Sequence, residues 1–398
     1  MTGCWSSCRR AWKQHAVAEG TPGTRTEPDG ADARCPFCGG GYRWDDGRRC
    51  WACDSPSCEQ CVTAGKQPLC PECAAADELP PEDVAPMLAT LAELPADPDR
   101  WAFELKWDGV RCLARWDGAR LTLQSRAGNG ITATYPELAG IARALAGTPP
   151  LLLDGEIVAL DAQGRPSFRR LQRRMHLSAE AARAGTEHTP VHYFVFDLLF
   201  ADHEPLTARA YQERRAMLAD HLPAHACLHL PPSEPAAGEA MLAVARAHRL
   251  EGVVAKRLDS PYEPGRRSPA WRKIKLVHAQ ELVIGGWLAA RGAAHQVGSL
   301  LLGVYDDRGR LRYAGRAGTG YTRAERRELR ARLLPLERAS SPFDLPRPVP
   351  GAHYAEPRLV AQVTYRRWPD GGRVQQASYQ GLRADVPPED VVRERPAG

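Results

Sequence analysis

The sequence predicts an α+β protein in three parts: a small cysteine-built metal module, a central domain of antiparallel sheets with a few helices, and an all-β barrel carrying one inserted helix. Three observations predict it. Eight cysteines between residues 35 and 73 fall into four Cys-x-x-Cys pairs. Alternating apolar runs and helical patterns fill residues 99–278, with strand-like stretches at 151–160, 193–200 and 251–256. Beyond residue 279, strand candidates at 281–287, 299–305, 312–314, 359–366 and 374–379 are separated by Gly-rich turns and interrupted by a charged helix pattern at 322–338.

Residues 1–33 carry no hydrophobic period and read as a tail that includes Cys4 and Cys8. Residues 34–75 form the cysteine segment. Each pair, Cys35/Cys38, Cys50/Cys53, Cys58/Cys61 and Cys70/Cys73, places two thiolates on one knuckle, and two knuckles complete a tetrahedral shell for Zn²⁺. Two structural zincs are therefore expected. The gaps of eleven, four and eight residues suit both consecutive ribbons and a cross-braced pairing. A segment this short buries too little core to fold without such staples. Arg43, Trp44, Arg48 and Arg49 beside the knuckles suit either a nucleic-acid grip or an ordinary solvated face. Cys112 and Cys227 are isolated and expected as small buried apolar groups.

A Pro- and acid-rich linker is expected at 76–98, then a domain at 99–278 and the barrel at 279–395. With 398 residues, 43% hydrophobic and 25% charged, the chain is neither fibrous nor wholly disordered. No apolar run approaches the ~20 residues that span a bilayer, and the opening residues lack a secretory core, so a cytoplasmic protein with no membrane partner is expected. The net charge of +5 permits nucleic-acid binding without demanding it.

Lysine usage is more telling. Only six lysines accompany 47 arginines. An amine can lose its proton and attack, whereas guanidinium cannot, so each lysine is a candidate for chemistry. Four of the six fall in three short segments. Lys106 ends an alternating strand in Glu104-Leu105-Lys106-Trp107-Asp108-Gly109-Val110-Arg111, where the glycine would let a phosphate approach. Lys256 closes Glu251-Gly252-Val253-Val254-Ala255-Lys256. Lys273 and Lys275 share one strand face after Trp271. In Asp154-Gly155-Glu156 two carboxylates also share a face and suit a ribose hydroxyl or Mg²⁺. The aromatics of Phe194-Val195-Phe196-Asp197 suit either a stacked base or the core.

Taken in order, these segments resemble the covalent nucleotidyltransferases, and among them the ATP-dependent DNA ligases, closest to the ligase module of bacterial end-joining ligases. Lys106 to Gly109 is similar to motif I, Ser125-Arg126 to motif Ia, Asp154 to Glu156 to motif III, Phe196-Asp197 to motif IIIa, Glu251 to Lys256 to motif IV, and Trp271 to Lys275 to motif V. The resemblance covers residues 101–385, some three quarters of the chain. It implies an ATP-grasp-like nucleotidyltransferase domain followed by an OB-fold barrel that closes over the nucleotide and then clamps DNA. It implies ATP and Mg²⁺ (or Mn²⁺) as cofactors, nicked or broken duplex DNA as substrate, a Ku-type end-binding partner and a nucleoid-associated location.

By the same resemblance, Lys106 attacks the α-phosphate to give lysyl-AMP, with neighbouring cations and a metal lowering its pKa. Glu104 lies at the purine and Phe196 stacks on it. Arg111 and Glu156 hold the ribose or the nick's phosphate, Arg126 touches the terminal phosphate, and Lys256 contributes to the nucleotide site. Lys273 and Lys275 neutralise the α-phosphate, and Glu251 holds the divalent metal. The last motif of the family departs here: Gln375 and Val386 stand where Arg and Lys are usual, Arg383 and Asp385 remain, and Arg373 is two residues early on the same strand face. The departure predicts slow ATP charging more than slow sealing. The alternatives are a non-catalytic or loading-impaired DNA-binding homologue and an RNA ligase or capping-type nucleotidyltransferase.

Overall fold

The computed structural model describes residues 33–35, 41–42, 48–49, 56–57, 62, 70 and 79–394, apart from 176, 178 and 291. It divides into two compact units, Met1–Pro80 and Pro81–Gly398. In the first, Ala33–Arg34 pairs antiparallel with Gly41–Tyr42, and Arg48–Arg49 with Pro56–Ser57. Of the eight cysteines expected to ligate zinc, only Cys35 and Cys70 are described, and both are buried. Cys38, Cys50, Cys53, Cys58, Cys61 and Cys73 lie outside the described residues, as do Cys4, Cys8, Arg43 and Trp44. The expected pairing of knuckles into two metal shells thus lies outside the described residues. Nor is any helix among them long and apolar enough to cross a membrane.

The second unit begins with strands β1 (Leu88–Leu91), β2 (Trp101–Leu105), β3 (Val110–Trp116), β4 (Leu121–Ser125), β5 (Leu151–Ala159), β6 (Val191–Ala201), β7 (Gly252–Arg257) and β8 (Arg267–Lys275). They build two sheets. One runs β6-β5-β3-β4 with antiparallel pairing, extended beyond β6 by Glu204–Pro205, while Leu228–His229 pairs parallel to β6. The other runs from Ser233–Pro235 through β2, β7 and β8 to β1. Here β1 alone is parallel to its neighbour. The linker expected at 76–98 therefore contains the edge strand of a sheet, and Met87 beside it is fully buried. Its four-residue length hid the strand, because Pro and acidic neighbours dominate the composition.

Alternation decides which side chains reach the space between the sheets. In β5, Leu151, Leu153, Ile157 and Ala159 pack into the core behind the first sheet, while Leu152 joins the cluster between the sheets with Leu113, Phe196, Tyr262 and Trp271. Behind the second sheet, helix α1 (Gly238–Ala247) covers Phe103, Val253 and Ala255. Cys112 is fully buried, but Cys227 only partly so.

The barrel comprises β9 (Ala279–Ala290), β10 (Ala293–Tyr305), β11 (Leu311–Ala317), β12 (Ala352–Thr364) and β13 (Ser378–Leu382), ordered β11-β10-β9-β12-β13. It curls round until Thr319 meets Ser378, with Tyr379 N donating to the Thr319 carbonyl at 3.0 Å. Helix α2 (Arg323–Leu333) starts on a capping box, in which Thr322 and Glu325 satisfy each other's backbone N–H. It is shorter than the pattern at 322–338 predicts, because Pro335 stops it and Glu337–Arg338 pairs with β12. The last strand is also displaced from 374–379, since Gln376 adopts a left-handed φ of 53° and Val374 folds back onto the Ala314 carbonyl.

Candidate active site

Lys106 is the first residue after β2, and its backbone N–H donates to the Gly252 carbonyl at 2.9 Å. The chain then crosses to the other sheet. A Cβ on Gly109 would lie 2.2 Å from the Ile157 carbonyl oxygen. Glycine is thus required for the turn to approach β5, and the same residue lines the cleft beside Lys106. Trp107 stacks on Phe194 at 4.1 Å, which fixes the crossing from its other side.

Strand register assembles the floor. Glu104 pairs with Val254, which pairs with Lys273, while Lys256 pairs with Ala102 and Trp271. Their side chains therefore share one face, with Lys275 two residues beyond. Glu104 is 3% exposed and accepts from Lys256 Nζ at 3.0 Å and from the Tyr211 hydroxyl. The same ammonium lies 4.2 Å from the centre of the Phe196 ring and 4.4 Å from that of Trp271. Burial pulls the Lys256 pKa down despite Glu104.

The facing wall comes from the first sheet, where Arg111 pairs in register with Glu156. Asp154, read as half of a ligand-binding carboxylate pair, is completely buried. It clamps Arg111 through two hydrogen bonds of 2.6 Å and accepts from the Tyr262 hydroxyl at 2.7 Å. It positions Arg111 and leaves Glu156 alone to face the cleft. Asp197 is likewise structural, paired with Arg214 where both side chains are 0% exposed.

The resulting cleft holds roughly 990 Å³ including its open mouth and is lined by Glu104, Lys106, Arg111, Arg126, Glu156, Phe196, Glu251, Lys256, Lys273 and Lys275. Every non-cysteine residue expected at the site is thus brought together. The sequence reading missed Leu88, Ala89 and Arg267 on the walls and Glu281 and Gln362 from the barrel, which also line it. No local signal marks them, since each owes its place to tertiary contact.

The electrostatics revise one expectation. Lys106 Nζ donates to Glu251 Oε2 at 2.5 Å. Burial and Lys275 press the ammonium toward neutrality, but without a metal Glu251 outweighs them and the pKa of Lys106 is raised. Burial instead lowers Lys273 to about 8. Glu281 ionises readily against the penalty of burial because Arg383, Lys275, Lys273 and Arg126 surround it.

The altered motif also differs from expectation. Arg383 reaches the cleft, paired with Asp385 at 2.7 Å. Gln375 instead accepts from Arg367 Nε at 2.7 Å, and Val386 is buried in the barrel core. Arg373 does not reach the cleft in place of the missing arginine. It lies 4.8 Å over the Tyr313 ring, in a separate cavity with Arg316 and Arg347.

For a polyphosphate the donor set fits. Arg126 Nε is buried without a hydrogen-bond partner at the edge of the cleft, and Lys273 and Lys275 line it. Among the described residues no three His, Cys, Asp or Glu side chains gather as a metal cage. Glu251 offers a hard carboxylate in contact with Lys106, with Asp108 and Glu156 in the same cleft, which suits Mg²⁺ bound jointly by few carboxylates and substrate phosphates.

Comparison with known proteins supplies the family. The ATP dependent DNA ligase domain model matches residues 86–275, and that of the ATP dependent DNA ligase C terminal region matches residues 293–386. The chain belongs to the ATP-dependent DNA ligase family. The multifunctional non-homologous end joining DNA repair protein LigD of Mycobacterium tuberculosis is 43% identical over 320 residues, which is 79% of this chain and 40% of that protein. This chain thus spans about 40% of the length of such LigD relatives. DNA ligase C1 of Mycolicibacterium smegmatis is 34% identical over 259 residues, 64% of this chain and 73% of that one. The solved structure of mycobacterial DNA ligase D complexed with ATP and MES is 41% identical, with a TM-score of 0.55 over 79% of this chain and 99% of that chain.

Proposed function

We propose that this chain is an ATP- and divalent-metal-dependent DNA ligase that joins breaks through a lysyl-AMP on Lys106, in the end-joining branch of DNA repair with a Ku-type partner. The observation that carries the reading is a single lysine at the sheet crossing, faced by two further lysines and one carboxylate. The LigD relatives named for end joining support the repair context.

The chain's residues divide the work. Phe196 and Glu104 take the base, Lys256 steadies Glu104, and Arg111 and Glu156 meet the ribose or the nick's phosphate. Arg126 receives the terminal phosphate. Lys273 and Lys275 offset the charge that grows on the α-phosphate as Lys106 Nζ forms its P–N bond and pyrophosphate leaves. Lys106 Nζ must lose its proton and leave its ion pair with Glu251 Oε2 before it attacks. A divalent cation held by Glu251 supplies further neutralisation of the phosphates when bound.

Incubation with ATP and Mg²⁺ followed by mass spectrometry is expected to find one AMP on Lys106, absent in Lys106→Arg, and a pre-adenylylated nick is expected to be sealed. Failure of both reactions would replace this reading with that of a DNA-binding homologue.

The four Cys-x-x-Cys pairs, Cys35/Cys38, Cys50/Cys53, Cys58/Cys61 and Cys70/Cys73, support two structural zincs in residues 34–75. Elemental analysis of the full chain should return two zincs, and Cys35→Ser should lose one of them. Eight freely titrating thiols with no metal would sink the idea.

A further inference from the structure

The two lysines that face the α-phosphate position already have a carboxylate. Glu394, far along the chain from the nucleotide motifs, pairs with Lys273 Nζ and lies 3.2 Å from Lys275 Nζ. All three side chains are nearly buried, Glu394 at 10%. Its segment is anchored rather than draped. Val391 is 3% exposed and its carbonyl accepts from Tyr305 N at 2.8 Å. Gln280 spans the next residues, its Nε2 donating to the Val392 carbonyl at 2.8 Å and its Oε1 accepting from Glu394 N at 3.1 Å. Arg393 donates to the Trp368 carbonyl at 2.7 Å and pairs with Asp370.

An anionic phosphate and an anionic carboxylate cannot share the same two ammonium groups at close range without strong repulsion. We infer that Glu394 is an internal plug: its carboxylate holds Lys273 and Lys275 in place of a nucleotide phosphate and sets the apparent affinity for ATP by having to withdraw. The inference rests on the ATP reading of the cleft and adds to it a specificity-setting residue outside every nucleotide motif. Gln280 is the catch that keeps the plug seated. A ligand that binds only the open fraction has its apparent affinity cut by that fraction. If the seated state holds roughly nine molecules in ten, releasing it tightens binding about tenfold.

The test titrates the full chain and its Glu394→Gln and Gln280→Ala variants with α,β-methylene-ATP by calorimetry, and follows AMP transfer to Lys106 at subsaturating ATP. Glu394→Gln removes the charge and Gln280→Ala loosens the anchor while keeping it, so both are expected to bind the analogue several-fold tighter and to load faster. Unchanged or weaker binding in both variants would overturn the plug and assign Glu394 to assembly of the lysine pair. The ATP reading fails separately, if the wild-type chain never acquires AMP. An analogue that binds Glu394→Gln but not the wild type would still uphold the plug, and binding to neither would reject it.

Discussion

Glu156 faces the cleft with its carboxyl pushed up to about 7, chiefly by burial, although Arg111, Lys106 and Arg383 pull the other way. The unfolded chain ionises this group near 4.5, so the folded protein loses stability as pH rises from about 5 through 7. Glu156→Gln should therefore melt at a higher temperature than the parent above pH 7 and at the same temperature below pH 5, as scanning calorimetry at both values would reveal, while AMP transfer falls. A melting difference independent of pH would refute the assignment. The residue scale also shows what a sequence can and cannot disclose. Lys106 stood out because amines are rare in an arginine-rich chain, and Glu251 because it opens a strand ending in another lysine. Asp154 looked like a ligand because alternation places it beside Glu156, yet its partner Tyr262 lies 108 residues away. Nothing local predicts that pairing, and nothing local marks Glu394.

Among the elements, the crossing from β2 to β3 is the most tightly specified. Gly109 has no room for a side chain against the Ile157 carbonyl and the Glu156 Cγ. Gly109→Ala is expected to cost about 1–3 kcal/mol of stability, as overpacking does. It should slow AMP transfer more than a surface alanine would, because relief requires the Lys106 turn to move away from β5. Denaturant melts paired with single-turnover loading would check this, and wild-type values in both would refute it. Sheet alternation was legible in β5, β6 and β7, whose bounds fall within two residues of the apolar runs at 151–160, 193–200 and 251–256. Strand β1 was not, because an edge strand of four residues beside prolines carries too little pattern to be read. Strand β13 slipped because the left-handed turn at Gln376 breaks the alternation that residues 374–379 suggest.

In the second unit as a whole, the barrel reaches the cleft through Glu281, Gln362 and Arg383, and it is also held by contacts away from the nucleotide residues. Arg169 of the first domain donates to the Gly320 carbonyl at 2.8 Å and lies 3.8 Å from Glu325 at the start of α2. One hydrogen bond of this kind contributes about 0.5–1.5 kcal/mol. Arg169→Ala is therefore expected to slow lysyl-AMP formation by roughly three- to tenfold. Sealing of a pre-adenylylated nick should change less, since that step follows loading. Equal losses in both steps would show that the contact serves folding and not closure. The expected order of domains came from the cysteine pairs and the runs of strand-like segments, whereas the closing contact joins positions 151 residues apart that share no motif.

The crossing at residues 106–109 has a mechanical meaning as well. Glu251 stands at the head of one sheet and Glu156 within the other, and separate apolar cores back the two sheets. Lys106 therefore sits where the chain passes from one sheet to the other, so any change in the spacing of the two sheets would alter its distance to both carboxylates at once. A pair of spin labels, one on each sheet, would read that spacing as a distance.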